Sequence, residues 1–326
     1  MPVRIIYDSI RVFLLEHCTT RATALAYTSL LAAVPLLILL TSISLSLGVG
    51  DLFVDHLPDL LTEIVPYTYI SGALQMVFPE ANIDAEVSVG VFLDRVMPFL
   101  VKVQEIRPGS LGIIGGAGLL VTFILAIDTM ETNINIVWGI NDARGYGQKT
   151  VIFIPFLFLF AGGIGILSMF LRYMHDMLEV ILVQKLPFGE FGELLVNLSI
   201  PAALVILMFV ALWLLYCYMP YVPDKGGFWR AAIKKTKTRG LPALISAAFT
   251  VVATALFFTA MFFLQAGMFA KWSLFYGSLA IFPMLMFLLF GFWCIILFGN
   301  AICWRITERK LPQEYFFNRI HPKTGP

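Results

Sequence analysis

Hydrophobic positions in this chain do not alternate with polar ones; they gather into runs, and the runs are long. Apolar stretches over 22–47, 110–132, 151–171, 195–219, 241–266 and 277–303 each hold about 20 residues or more, enough for a helix to cross a hydrocarbon core roughly 30 Å thick. The pattern predicts an all-α polytopic membrane protein: one membrane domain over 1–326 with six transmembrane helices.

The segments between the runs are patterned differently. Residues 3–17 read "VRIIYDSIRVFLLEH", with Val3, Ile6, Ile10, Phe13 and His17 on one helical face and Arg4, Asp8, Arg11 and Glu16 largely elsewhere. That distribution predicts a cytoplasmic helix lying in the membrane interface over 1–21. The run that follows is too long for a signal-peptide core and lacks a convincing cleavage site, so it reads as the first span. The segment 48–109 carries Asp51, Asp55, Asp59, Glu63, Glu80, Asp84, Glu86 and Asp94, and places Phe92, Val96, Phe99 and Val103 on one face. It is expected to form amphipathic helices in the first outer loop. Residues 304–326 form a polar tail.

Composition strengthens this reading: 59% of residues are hydrophobic and 13% charged, against about 45–50% and about 25% in soluble domains. The net charge of +1 points to no partner, but its distribution sets an orientation. Arg4, Arg11, Arg21, Arg144, Lys149, the run from Lys225 to Arg239, and Arg305, Arg309, Lys310, Arg319 and Lys323 all fall on one side of a six-span topology. By the positive-inside rule both termini are then cytoplasmic.

Candidate chemistry is sparse. Cys18, Cys217, Cys294 and Cys303 lack metal or redox spacing and suggest no disulfide framework. His17, His56, His175 and His321 are equally scattered. No nucleophile elbow, phosphate-binding loop or metal-ligand set is present, so neither a metal, a cofactor nor an enzymatic activity is expected. Gly112 and Gly116 in one run, and Gly162 and Gly163 in the next, suit close helix packing. Pro35 and Pro283 are candidate kink positions.

Two polar features stand out. "AIDTMETNINIVW", Ala126 to Trp138, closes an apolar run with Asp128, Glu131, Asn133 and Asn135. Asp128, Glu131 (or Thr132) and Asn135 fall on one helical face. Charged groups in spans usually face a bundle interior or a wet cavity, although the expected topology puts this cluster near the cytoplasmic end, where interfacial capping also fits. Arg144 and Lys149 are candidate partners. The second feature is the basic run, in which Lys225, Arg230, Lys234, Lys235, Lys237 and Arg239 read as a topogenic loop or as contacts to anionic lipid head groups. No base-reading fold accompanies it, so nucleic acid is not an expected partner.

The ordered motifs resemble the YihY / virulence factor BrkB family of bacterial inner-membrane proteins. "RATALAYTSLLAAVPLL" is similar to the family's N-terminal signature, and Glu131, Asn135, Trp138 and Arg144 match its acid-to-arginine motif. Trp213, Tyr216 and Pro220 match a third element; Tyr276, Gly277, Leu279, Ala280 and Pro283 match a fourth. The resemblance runs from about residue 20 to 303. Where the family commonly ends its last span in Gly-Ala-Glu, this chain has Gly299, Asn300 and Ala301, and Leu288 replaces a frequent tryptophan. The resemblance implies six spans with cytoplasmic ends in the bacterial inner membrane, and a role in envelope biology with lipid transport or homeostasis as the leading expectation. A transporter or flippase-like protein for a lipid or amphiphile is therefore the first reading. A non-transporting scaffold for other envelope proteins is the second. A membrane-bound enzyme is the third, because members have carried the label ribonuclease BN. The candidate polar site is Asp128, Glu131, Asn135, Trp138 and Arg144, and membrane lipids are the expected partners.

Overall fold

The computed structural model describes residues 2–46, 108–140, 189–221, 228–276 and 281–307, with isolated positions at 145, 147, 173–174, 177–178 and 180–181. The expected span at 151–171, the outer segment 48–109 and the tail beyond Thr307 lie outside the described residues apart from the first helical turn at 108–109. No strand occurs among the described residues.

The N-terminal stretch does not run on as a single helix. Helix α1 (Pro2–Leu15) stops at a corner where His17 has a φ of 50°, a left-handed conformation that a non-glycine side chain adopts at some cost. Helix α2 (Cys18–Ser46) starts directly after it. The corner is fastened by Arg21, whose Nε donates to the Glu16 carbonyl at 2.7 Å. The interfacial helix expected over 1–21 is thus two elements, because a charged side chain satisfies the backbone where the chain turns.

Four further helices follow: α3 (Pro108–Val137), α4 (Gly189–Tyr218), α5 (Phe228–Tyr276) and α6 (Ile281–Thr307). Helix α6 is the centre of the assembly and packs on α1, α2, α3 and α5, while α4 packs on α5. Aromatic pairs fill these contacts, among them Phe13–Phe298 between α1 and α6 and Phe258–Phe292 between α5 and α6.

Helix α5 departs from expectation. The basic residues from Arg230 to Arg239 belong to it and do not form a loop, and its 49 residues extend about 70 Å. Pro242 marks the change from basic to apolar sequence inside this helix. A proline there removes one ladder bond and crowds the preceding turn. In the same turn Trp213 of α4 donates its indole N–H to the Gly240 carbonyl at 3.0 Å. Pro283, expected to kink a span, sits instead in the first turn of α6, where a missing N–H breaks no intrahelical bond. Pro35 falls within α2.

Close approach of α6 to its neighbours comes from glycines other than those singled out in the sequence. A Cβ on Gly299 would run into the Thr250 and Tyr216 hydroxyls, and one on Gly291 into the Phe257 ring. Gly112 and Gly116 lie on the backbone of α3; Gly162 and Gly163 are outside the described residues.

Two segments, Lys237–Met261 in α5 and Leu285–Thr307 in α6, are long and apolar enough to cross a membrane. The distribution of polarity around the bundle agrees with that environment. Ile206, Leu241, Val252 and Leu256 are exposed, whereas Glu131, Asn135, Ser246, Thr250 and Asn300 are buried. A water-soluble domain would reverse that arrangement; polar side chains in membrane bundles face inward.

Candidate functional site

The last turns of α3 build the site. Glu131 and Asn135 are four residues apart and Trp138 follows after three more, so all three project from one side of the helix. Glu131 has no solvent exposure, Asn135 is 1% exposed and Trp138 8%. The chain then turns at Gly139, with a φ of 71°, and the Ile140 N–H closes the helix by donating to the Asn135 carbonyl at 3.0 Å.

Trp138 and Asn135 reach different elements. Trp138 Nε1 donates to Asn300 Oδ1 of α6 at 2.8 Å, and Asn300 Nδ2 donates to the Ile134 carbonyl at 3.1 Å. Asn135 Oδ1 accepts the backbone N–H of Tyr221, just beyond α4, at 2.9 Å. Arg239 of α5 places its guanidinium 4.2 Å from the centre of the Trp138 ring and donates to the Pro220 carbonyl at 3.2 Å. Trp138 is therefore held from its edge by an amide and on its face by a cation. A guanidinium suits both roles, because it is planar, permanently charged and carries several donors.

Two further contacts border this cluster. Tyr216 of α4, fully buried, shares its hydroxyl between Thr250 of α5 at 2.9 Å and the Ile296 carbonyl of α6 at 3.0 Å. Arg21 reaches Asn133 Oδ1 at 3.5 Å, joining the α1–α2 corner to α3, while Asn133 donates back to the Thr129 carbonyl at 2.7 Å. At the open end, Arg305 Nε and Asp8 Oδ2 form an ion pair at 2.8 Å that clasps α6 to α1.

The sequence-derived site divides accordingly. Glu131, Asn135 and Trp138 lie together in the interior; Asp128 is only partly buried at the edge of that face, and Arg144 is outside the described residues. Arg239, expected among the head-group contacts, is 8% exposed and stacked on Trp138. Burial against an aromatic face and a hydrogen bond to the Pro220 carbonyl, just beyond α4, explain its removal from the surface. Lys237 is exposed, Arg230, Lys234 and Lys235 lie on the backbone of α5, and Lys225 is outside the described residues. Asn300 was not singled out as a site residue. Its signal was available, since an asparagine inside an otherwise apolar span needs a partner.

The four cysteines are free thiols. Among the described residues no group of three or more His, Cys, Asp or Glu side chains is arranged to hold a metal ion.

These features define an all-helical membrane protein whose interior polar network gathers at the end of the bundle that carries α1. The sequence profile of the family described as Virulence factor BrkB matches residues 9–316, and the chain belongs to that family. Among curated relatives, it is 27% identical over 211 residues to the UPF0761 membrane protein YihY of Salmonella paratyphi B, covering 61% of each chain. It is 24% identical over 213 residues to a UPF0761 membrane protein of Yersinia pseudotuberculosis, covering 64% of this chain and 63% of that one. A UPF0761 membrane protein of Kangiella koreensis is 24% identical over 266 residues, 77% of this chain and 58% of its own. The chain thus spans less than two thirds of the length of each of these relatives. No solved structure matches.

Proposed function

We propose that this protein moves a lipid or other amphiphile across, or within, the bacterial inner membrane, with both termini cytoplasmic. One observation carries the reading: Glu131, an acid with no exposure, shares a helix face with Asn135 and Trp138 inside an apolar bundle. Enclosed carboxylates are costly in such surroundings, and membrane proteins retain them mostly on substrate or ion routes. The exposed apolar flanks of α4 and α5 would meet acyl chains, and the interior network supplies groups able to handle a polar head. No chemical transformation is part of this reading.

The test is translocation of a fluorescent phospholipid in proteoliposomes by the purified protein, with Glu131→Gln and Asp128→Asn as variants. Transport by the native protein and a loss of at least tenfold in Glu131→Gln are expected. Full activity in the double variant would remove the acids from the mechanism.

A specific observation favours a second reading, a non-transporting scaffold for envelope proteins. Trp138, Asn300, Asn135 and Arg239 all bind other parts of the chain, as a static brace would require. A scaffold predicts a stable partner captured by crosslinking and no transport by the purified protein.

A further inference from the structure

Helices α2 and α6 leave a groove of about 570 Å³ between them, lined by Thr19, Thr20, Thr23, Ala24, Tyr27, Met286 and Phe290. We infer that this groove holds one glycerophospholipid, with the head group at the threonines and an acyl chain along Tyr27, Phe290 and Met286. The inference rests on the reading that the protein handles lipids, and it names where one is bound and what kind.

Polarity along the groove has a direction. Thr19, Thr20 and Thr23 lie in the first turns of α2, next to the corner with α1. Helix α6 runs antiparallel to α2: Arg305 pairs with Asp8 near the start of the chain, and Trp293 Nε1 donates to Ser29 Oγ at 3.0 Å further along. Phe290 and Met286 therefore lie deeper still, about 22 and 28 Å along α6 from Arg305. From Thr19 to Met286 the groove covers about 25 Å by the helical rise, close to half of the roughly 40–45 Å thickness of a bilayer with its head groups. Hydroxyls mark one end, sulfur and aromatic carbon the other, and Tyr27 stands between them. That sequence of surfaces matches a lipid of one leaflet.

The hydroxyl chemistry narrows the head group. Thr23 Oγ1 donates to the Thr19 carbonyl at 3.1 Å, so toward a ligand it offers lone pairs and acts as an acceptor. Thr19 and Thr20 carry hydroxyls able to donate to phosphate oxygens. Charge agrees with an anionic phosphate. Among the described residues no carboxylate lines the groove, His17 is exposed two residues before Thr19, and the nearby acids Asp8 and Glu16 are buried in the protein. A head group with its own N–H or O–H donor, such as ethanolamine, satisfies Thr23; choline has none to give. The Trp293–Ser29 bond fixes the two walls, so the groove exists before the lipid arrives.

The experiment uses the full-length protein in nanodiscs containing phosphatidylethanolamine with a diazirine in mid-chain, followed by irradiation and peptide mapping. Adducts on the peptide carrying Met286 and Phe290 should exceed those on the exposed α5 face at Val252 and Leu256 at least fivefold. Unlabelled phosphatidylethanolamine should compete and phosphatidylcholine should compete several-fold less. Ala24→Trp, at an exposed position that leaves the interior intact, should cut groove adducts at least fivefold without changing those on α5. Thr23→Val should keep the adducts but erase the preference between the two lipids. Equal labelling of both faces, or no effect of Ala24→Trp, overturns the site. Translocation measured on the same preparations separates the two claims: labelling without transport refutes the transport reading alone, and transport without groove labelling refutes the groove alone.

Discussion

Trp138 and Asn300 are 162 residues apart in the chain and 2.8 Å apart in the fold, joined by an indole-to-amide hydrogen bond in the buried interior. The indole can only donate, so the amide must present its oxygen to Trp138, and its NH₂ is then aimed at the Ile134 carbonyl. Asn300→Ala leaves both partners buried and unsatisfied. A loss of about 2–4 kcal/mol is expected from two such groups, read as a lowered midpoint in thermal unfolding in detergent. Trp138→Phe deletes the donor together with its need and should cost less than Trp138→Ala.

Arg239 and Lys237 lie two residues apart in the basic part of α5 but have opposite surroundings. Arg239→Lys keeps the charge and gives up the planar stacking on Trp138, so it should destabilise by about 1–2 kcal/mol. Lys237→Ala, at an exposed position, should stay within about 0.5 kcal/mol of the native protein. Equal effects of the two substitutions would contradict the burial of Arg239. Binding to anionic vesicles offers a parallel check: Lys237→Ala should weaken it and Arg239→Lys should not.

The Asp8–Arg305 pair is largely shielded, with side-chain exposures of 9% and 12%. Removing one partner from such a pair strands a charge, and roughly 3 kcal/mol of destabilisation is expected for Asp8→Ala. Exchanging the charges, Asp8→Arg with Arg305→Asp, should recover part of that loss. The double-mutant cycle measures the coupling, and the absence of any recovery would mean that the pair contributes little.

Gly299 is where α6 meets both Tyr216 and Thr250. Gly299→Ala should destabilise by about 1–3 kcal/mol through overpacking, despite the better helix propensity of alanine. Combining it with Thr250→Ala, which removes the hydroxyl that the new methyl would strike, should restore some stability. Thermal unfolding of the three variants decides the point.

Cys18, at the start of α2, has its thiol pushed up to about 12, chiefly by burial. Reaction needs the thiolate, so in the folded protein alkylation by a water-soluble maleimide should be negligible at pH 8 and should remain slow up to pH 10. Detergent unfolding should bring the rate to that of an ordinary thiol. Because the folded value is raised above the unfolded one, this group's contribution to stability is fully present below the unfolded thiol's pKa and is lost as pH rises from there toward about 12. The sign matters: that protonated thiol costs stability as pH rises past about 9, since the unfolded state alone gains by releasing its proton.

The long apolar runs made the helical class legible. What the sequence pattern missed follows from physics that acts between helices. Hydrophobic periodicity could not tell that α1 would turn Asp8 inward and both of its arginines outward, because that choice depends on Arg305, 297 residues away from Asp8. Arg230 to Arg239 looked like a loop because lysine and arginine mark membrane boundaries; yet both residues favour helix, and α5 runs straight through them. In the polar cluster, the spacing of Glu131, Asn135 and Trp138 was enough to place them on one face. The identity of their partners, Tyr221, Arg239 and Asn300, needed three other elements in place. The departure at Gly299, Asn300 and Ala301 was visible as a lost glutamate at Ala301. One residue along a helix is a turn of about 100°, and the polar group that this chain does carry points from Asn300 to Trp138.

The clasp between Asp8 and Arg305 also sets an order of events during synthesis. Helix α1 leaves the ribosome well before α6, which carries its partner. Until α6 arrives, Asp8 must stay hydrated, so α1 cannot settle in its final seat against the bundle. Completion of α6 is then the step that docks α1, and a chain interrupted before Arg305 is left with an unseated α1 that proteases can recognise.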